Sequence, residues 1–231
     1  PEPQPEGSGS SSETGSDTSQ VQTPEGDGSA GDSQPANEGK TVPAGGETQP
    51  VSGSASLSGY DFSQPCPESP AVDNSYFEDA AFIGDSRTDG LRLYSGIKGA
   101  DFYCYKGLTV FEMDDRAVVE LDGGKYTVEQ ALEKGPQYAK IYISLGINEL
   151  GYFNDEAFHQ TFGDFLKQVK ASQPGAVVYL ENLVPVNAEK CAANKQPYYV
   201  NNDRVAAYNA IFPQLAEEYQ VVLLDLSLIH I

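Results

Sequence analysis

Residues 80–91, Ala-Ala-Phe-Ile-Gly-Asp-Ser-Arg-Thr-Asp-Gly-Leu, constrain the fold of this chain more than any other stretch. The four apolar residues read as a buried strand and Gly84-Asp85 as a tight turn. Ser86 then opens a helix expected to carry Leu91 and Tyr94 inward. A serine hydroxyl is thereby set at the carboxyl end of a strand and the amino end of a helix. Open α/β sheets keep their ligand sites at that edge, and the unpaired N–H groups of a helix start favour developing negative charge. Ser86 is therefore the candidate nucleophile. The letters alone would not suffice, because Gly31-Asp32-Ser33 repeats them in a polar tract with no apolar run before it and no amphipathic run after it.

The rest of the chain alternates strand and helix in the same way. Asp101–Tyr105, Lys140–Leu145, Ala176–Leu180 and Val221–Asp225 read as further core strands, and Val118–Leu121 before Asp122-Gly123-Gly124 as a short strand and turn. Thr127 caps a brief helix. Asn154 caps a longer one that places Phe158, Phe162, Phe165, Leu166 and Val169 on one face. A polar loop is expected from Asn187 to Tyr199, then one last helix from Asn202 to Tyr219. Continuous rather than alternating apolar strands mean a sheet covered on both faces. Right-handed crossovers then give an α/β fold, a three-layer α/β/α sandwich on a flavodoxin-like parallel sheet of about five strands.

Composition divides the chain. Residues 1–72 are rich in Ser, Gly, Pro and Glu and nearly free of large apolar residues before Val51, which reads as a disordered acidic linker. Residues 73–231, about 160 of them, suffice for one α/β domain. A formal net charge of −20 argues against nucleic-acid partners, whose phosphates need Lys and Arg. No membrane span or signal peptide is evident, and the start at Pro1 rather than Met suggests a processed chain whose upstream anchor lies outside it. A long Ser/Gly/Thr/Pro/Glu tether ahead of a compact domain is expected of an extracellular or cell-surface protein. Cys66, Cys104 and Cys191 have no metal-ligand spacing and are too few for a disulfide framework, so neither a metal nor a cofactor is expected.

Two further loops leave their strands at the Ser86 edge, one carrying Gly107 and the other Gly146-Ile147-Asn148-Glu149. A glycine N–H and an asparagine amide converging on a serine, with the serine's own N–H, make an oxyanion site. This pattern resembles the SGNH or GDSL hydrolases, serine esterases and acyltransferases, over about residues 76–225. Gly84-Asp85-Ser86 matches that family's first block, Gly107 its second, and Gly146-Ile147-Asn148 its third, with Glu149 in place of the usual Asp. The resemblance implies Ser86 as nucleophile and Ser86, Gly107 and Asn148 as the oxyanion hole, with Asp85, Gly146, Glu149 and Arg87 in support. Arg87 stands where many relatives have Leu, which is read either as a preference for an anionic substrate or as a surface salt bridge.

The family's fourth block, Asp-x-x-His, is not found. His159 is expected on a helix surface, and His230 follows the last strand with Ser227 three residues before it. Leu226–Ile231 resembles the translation of a DNA-library adapter, so this sequence is expected to be a C-terminally cut fragment, inactive for want of the base.

What the resemblance implies is hydrolysis or transfer of an acyl ester, a small acyl group on a carbohydrate or cell-surface polymer. The alternative is a non-catalytic glycan-binding module using the same cleft. A flavodoxin-like nucleotide site is disfavoured, because Gly84–Arg87 is too short for a phosphate loop and carries an acid. Tyr152, Phe153, Tyr198 and Tyr199 could form a sugar platform, with packing the competing role for Tyr152 and Phe153; Tyr142 is expected in the core.

Overall fold

The computed structural model describes residues 57–228; most of the tract read as a linker, and His230, lie outside them. Five strands, β1 (Ala80–Gly84), β2 (Asp101–Cys104), β5 (Lys140–Ser144), β6 (Val177–Glu181) and β7 (Val222–Leu224), form one sheet in the order β2-β1-β5-β6-β7. Every pairing in it is parallel. The short hairpin β3 (Val119–Leu121) and β4 (Gly124–Tyr126) stands apart. Its turn residues Asp122 and Gly123 both have positive φ, 49° and 78°, the geometry that joins antiparallel strands without splaying them.

One sheet face carries the larger core. It is covered by α2 (Val128–Lys134), α3 (Asp155–Ser172), α5 (Asn202–Asn209) and α6 (Phe212–Tyr219), whose buried residues pack on Ala81, Ile83, Ile141, Ile143, Val178 and Leu180. Thr127 and Asn154 cap α2 and α3 as their sequences predict. The other face is an aromatic ladder in register across four strands. Phe102, Phe82, Tyr142 and Tyr179 stack at successive centroid distances of 5.0, 4.8 and 4.7 Å. This layer is thin. It consists of α1 (Ser86–Tyr94) and the irregular stretch before β1, from which Leu57, Tyr60, Phe62, Cys66 and Phe77 pack against the ladder.

Four expectations are corrected. Packed structure begins before residue 73, since residues 57–66 cover the sheet and the Cys66 N–H donates to the Leu223 carbonyl at 2.7 Å. The helix expected over 202–219 is broken at Ala210–Ile211. Pro213 in the first turn of α6 has no N–H to give and would clash with the carbonyl four residues back, at Asn209. The loop after β6 contains a further helix, α4 (Ala188–Ala193), capped by Asn187. Leu91 and Tyr94 are not buried: Thr88 is the buried residue of α1, Leu91 borders a cavity with it and stays 37% exposed, and Tyr94 is 87% exposed. No described helix is long and apolar enough to cross a membrane, and all three cysteines are free.

Candidate active site

The carboxyl edge of the sheet brings together the turn after β2, the β1–α1 turn, and the loops after β5, β6 and β7. Ser86 is the first residue of α1 and is exposed. Its position is set by its neighbours. Gly84 is pressed so closely that a Cβ there would lie 2.1 Å from Thr88 Oγ1 and 2.6 Å from the Ser144 carbonyl oxygen. Asp85, fully buried, caps the helix by accepting the Arg87 N–H at 2.8 Å. It also takes Arg87 Nε and Nη2 in a fork, each at 3.1 Å. Arg87 is thus held as the partner of a buried carboxylate rather than pairing on the surface, which stiffens the turn that presents Ser86.

Gly107 sits in the turn Tyr105–Leu108, where the Leu108 N–H returns to the Tyr105 carbonyl at 3.1 Å, and its φ of +77° suits glycine. Asn148 reaches this turn from the β5 loop. Its Nδ2 donates to the Leu108 carbonyl at 3.0 Å, which uses one amide hydrogen and leaves the second for an oxyanion. Gly146 enters that loop at φ +119°.

Glu149 grips the same turn from the adjacent position. Its Oε1 accepts the Val110 N–H at 2.7 Å. Two consecutive side chains therefore staple the Gly107 turn to the β5 loop, one through Leu108 and one through Val110. Glu149 is 2% exposed, and its Oε2 is buried without a partner among the described residues. Burial pushes its pKa up to about 7, against the pull of the Val110 N–H and of Arg87. The Tyr208 hydroxyl holds the loop, its one hydrogen shared between the Glu149 and Tyr152 carbonyls at 2.6 and 2.9 Å.

Two acids of this edge were not singled out by sequence reasoning. Glu181, at the end of β6, has its pKa raised by burial, an effect opposed by a hydrogen bond from Ser144 and by Arg87. It helps line a cavity of about 260 Å³ with Arg87, Thr88, Leu91, Ser144 and Leu226. The available signal was its place as the residue that ends a core strand. Asp225, after β7, accepts from Asn182 Nδ2 at 2.7 Å and Ser227 Oγ at 2.5 Å. Burial alone would raise its pKa, but the Ser227 and Asn182 bonds outweigh it and hold the carboxyl below its ordinary range.

The sequence-derived residues Asp85, Ser86, Arg87, Gly107, Gly146, Asn148 and Glu149 thus all lie on the loops of one edge. The histidines do not join them. His159 Nε2 lies 3.3 Å from Glu218 Oε2, a pairing between α3 and α6, and His230 is outside the described residues. Among the described residues, no group of three or more His, Cys, Asp or Glu is placed to hold a metal ion. The arrangement can present a hydroxyl to a carbonyl carbon and hydrogen-bond donors to its oxygen.

The family model for GDSL-like lipases and acylhydrolases matches residues 82–230. No curated protein matches the sequence. Among solved structures, a putative platelet activating factor from Streptococcus pneumonia is 18% identical and aligns 66% of this chain with 72% of its own, at a TM-score of 0.49. A carbohydrate acetylesterase family member from Sinorhizobium meliloti is 14% identical over 64% of this chain and 82% of its own, at 0.46. The acetyl xylan esterase AlAXEase is 14% identical over 64% of this chain and 77% of its own, at 0.42.

Proposed function

The chain belongs to the GDSL-like lipase/acylhydrolase family, and from that premise we propose that Ser86 Oγ attacks the carbonyl carbon of an acyl ester. The hydroxyl proton leaves to a base as the C–O bond forms. The resulting oxyanion is held by the Ser86 N–H, the Gly107 N–H and the second Nδ2 hydrogen of Asn148. Collapse expels the alcohol and leaves an acyl-serine, which water or a sugar hydroxyl then cleaves. The observation that carries this reading is the double staple from Asn148 and Glu149 to the Leu108–Val110 segment, which sets the two loop-borne donors against each other before substrate arrives.

The substrate we infer is a small acyl group on a carbohydrate. Ser86 is exposed on an open edge, and the cavity beside it, about 260 Å³, is lined in part by Arg87 and Glu181. The rest of its lining is mainly apolar, with Phe82, Leu91, Tyr142, Val184 and Leu226, and suits a short acyl group, while a volume of about 260 Å³ leaves no room for a long one.

The test uses protein expressed from its full natural reading frame and p-nitrophenyl esters of increasing acyl length. Turnover should be highest for acetate, fall with length, and vanish in Ser86→Ala. Rates that rise toward long chains would overturn the small-acyl assignment, and an active Ser86→Ala would overturn the nucleophile.

A further inference from the structure

We propose that the aromatic strip formed by Tyr152, Phe153 and Tyr198 binds a neutral polysaccharide strand and lays it along the edge that carries Ser86. The inference deepens, and in its service to Ser86 rests on, the reading of the site as one acting on carbohydrate esters. Tyr152, Phe153 and Tyr198 are 41%, 59% and 79% exposed. Large exposed rings gathered in one patch mark binding surfaces.

The rings come from two loops of the catalytic edge. Tyr152 and Phe153 follow Asn148 between β5 and α3, and Tyr198 lies between α4 and α5. Phe153 and Tyr198 are stacked, 11° apart with centroids 6.3 Å apart, so Phe153 backs the Tyr198 ring, which is the most exposed of the three. Tyr152 packs on Phe111 at 4.6 Å, which carries the strip toward the Gly107 turn. Beyond Tyr198 it opens on a groove of about 310 Å³ edged by Gln196, Asn201 and Asp203.

The strip is held in place before any ligand binds. The Arg204 guanidinium lies over the Phe153 ring at 4.9 Å. It is itself tied to the Leu150 and Tyr152 carbonyls at 3.2 and 3.3 Å and to Asp155 at 3.0 Å. Rigid anchors of this kind lose little entropy on binding.

Three features select the ligand. The exposed faces of Tyr198 and Tyr152 match the C–H faces of pyranose rings, with hydroxyls left to the polar rim. The five steps from Asn148 to Phe153 span at most about 18 Å, so a ligand reaching from the strip to the Asn148 loop need be no more than a few sugars long. A chain of net charge −20, with Arg204 already engaged, repels polyanions and anionic lipid surfaces.

Native affinity electrophoresis of the chain tests this, using gels containing acetylated xylan, deacetylated xylan or glucomannan. The protein should be retarded by at least one of them. Binding should weaken about tenfold or more in Phe153→Ala and in Tyr198→Ala, and persist in Tyr198→Phe, which keeps the ring face, and in Ser86→Ala. These positions are exposed, and unchanged circular dichroism would verify that the variants fold. No retardation in any gel, retardation indifferent to both alanine substitutions, or sedimentation with phosphatidylcholine vesicles in place of polysaccharide binding would each overturn the assignment. Polysaccharide binding lost with Phe153, in a protein that never turns over an ester, would uphold the strip while refuting the esterase. Turnover of p-nitrophenyl acetate without polysaccharide binding would do the reverse.

Discussion

Replacing Glu149 with Gln isolates the energetics of the staple beneath the oxyanion turn. A glutamine keeps an oxygen that can accept the Val110 N–H but cannot ionise. In the wild type, burial pushes the Glu149 pKa from an ordinary 4.5 to about 7, so the folded state holds this proton more tightly than the unfolded chain. The stability this confers is fully present below about pH 4.5 and is lost as the pH rises through about 7. At 1.36 kcal/mol per pK unit, the loss amounts to about 3 kcal/mol, or roughly 6–12 °C in Tm for a domain of this size. Asp85 and Arg87 face the carboxyl from the β1–α1 turn with opposite effects on it, and both remain in the variant. Other titrating groups, Glu181 and Glu129 among them, cancel when the two proteins are compared. Thermal unfolding of wild type and Glu149→Gln should be followed from pH 4 to pH 9. The variant should gain on the wild type by about 3 kcal/mol across that range, with most of the gain between pH 5 and pH 8. A difference that stays flat within about 1 kcal/mol would refute the argument that Glu149 is buried with one oxygen unpaired.

Two further substitutions probe the same edge. Gly84→Ala puts a methyl group against Thr88 Oγ1 and the Ser144 carbonyl, which should destabilise the domain by about 3 kcal/mol; an unchanged urea midpoint would contradict the close contact. Asn148→Ala removes an oxyanion donor along with the bond to Leu108, and kcat should fall roughly 10²–10³-fold with KM little altered. A loss confined to KM would mean that Asn148 binds substrate without stabilising the transition state.

The sheet was legible because its central strands β1, β5 and β6 are buried on both faces and so read as largely unbroken apolar runs. Ala80–Ile83 and Ile141–Ile143 could not be taken for amphipathic elements. The Ser86, Gly107 and Asn148 positions followed from loops that leave the sheet's strands at one edge. What escaped reading depends on partners distant in sequence. Nothing near Glu149 announces that it bonds Val110, 39 residues away. The segment at 57–66 is too polar on average to signal packing, yet Leu57, Tyr60 and Phe62 find an aromatic sheet face to cover. The outward Tyr94 and the break before Pro213 show the converse: periodicity reports which residues share a helix face, but neither what covers that face nor where a proline ends it.

The most direct test of the account is covalent labelling with a fluorophosphonate, followed by peptide mapping of the protein expressed from its natural reading frame. The account predicts a phosphonyl adduct on Ser86 alone, absent from Ser86→Ala, with esterase turnover falling in that variant by on the order of a million-fold. An adduct on another residue, or a Ser86→Ala protein that hydrolyses p-nitrophenyl acetate at the wild-type rate, would contradict it.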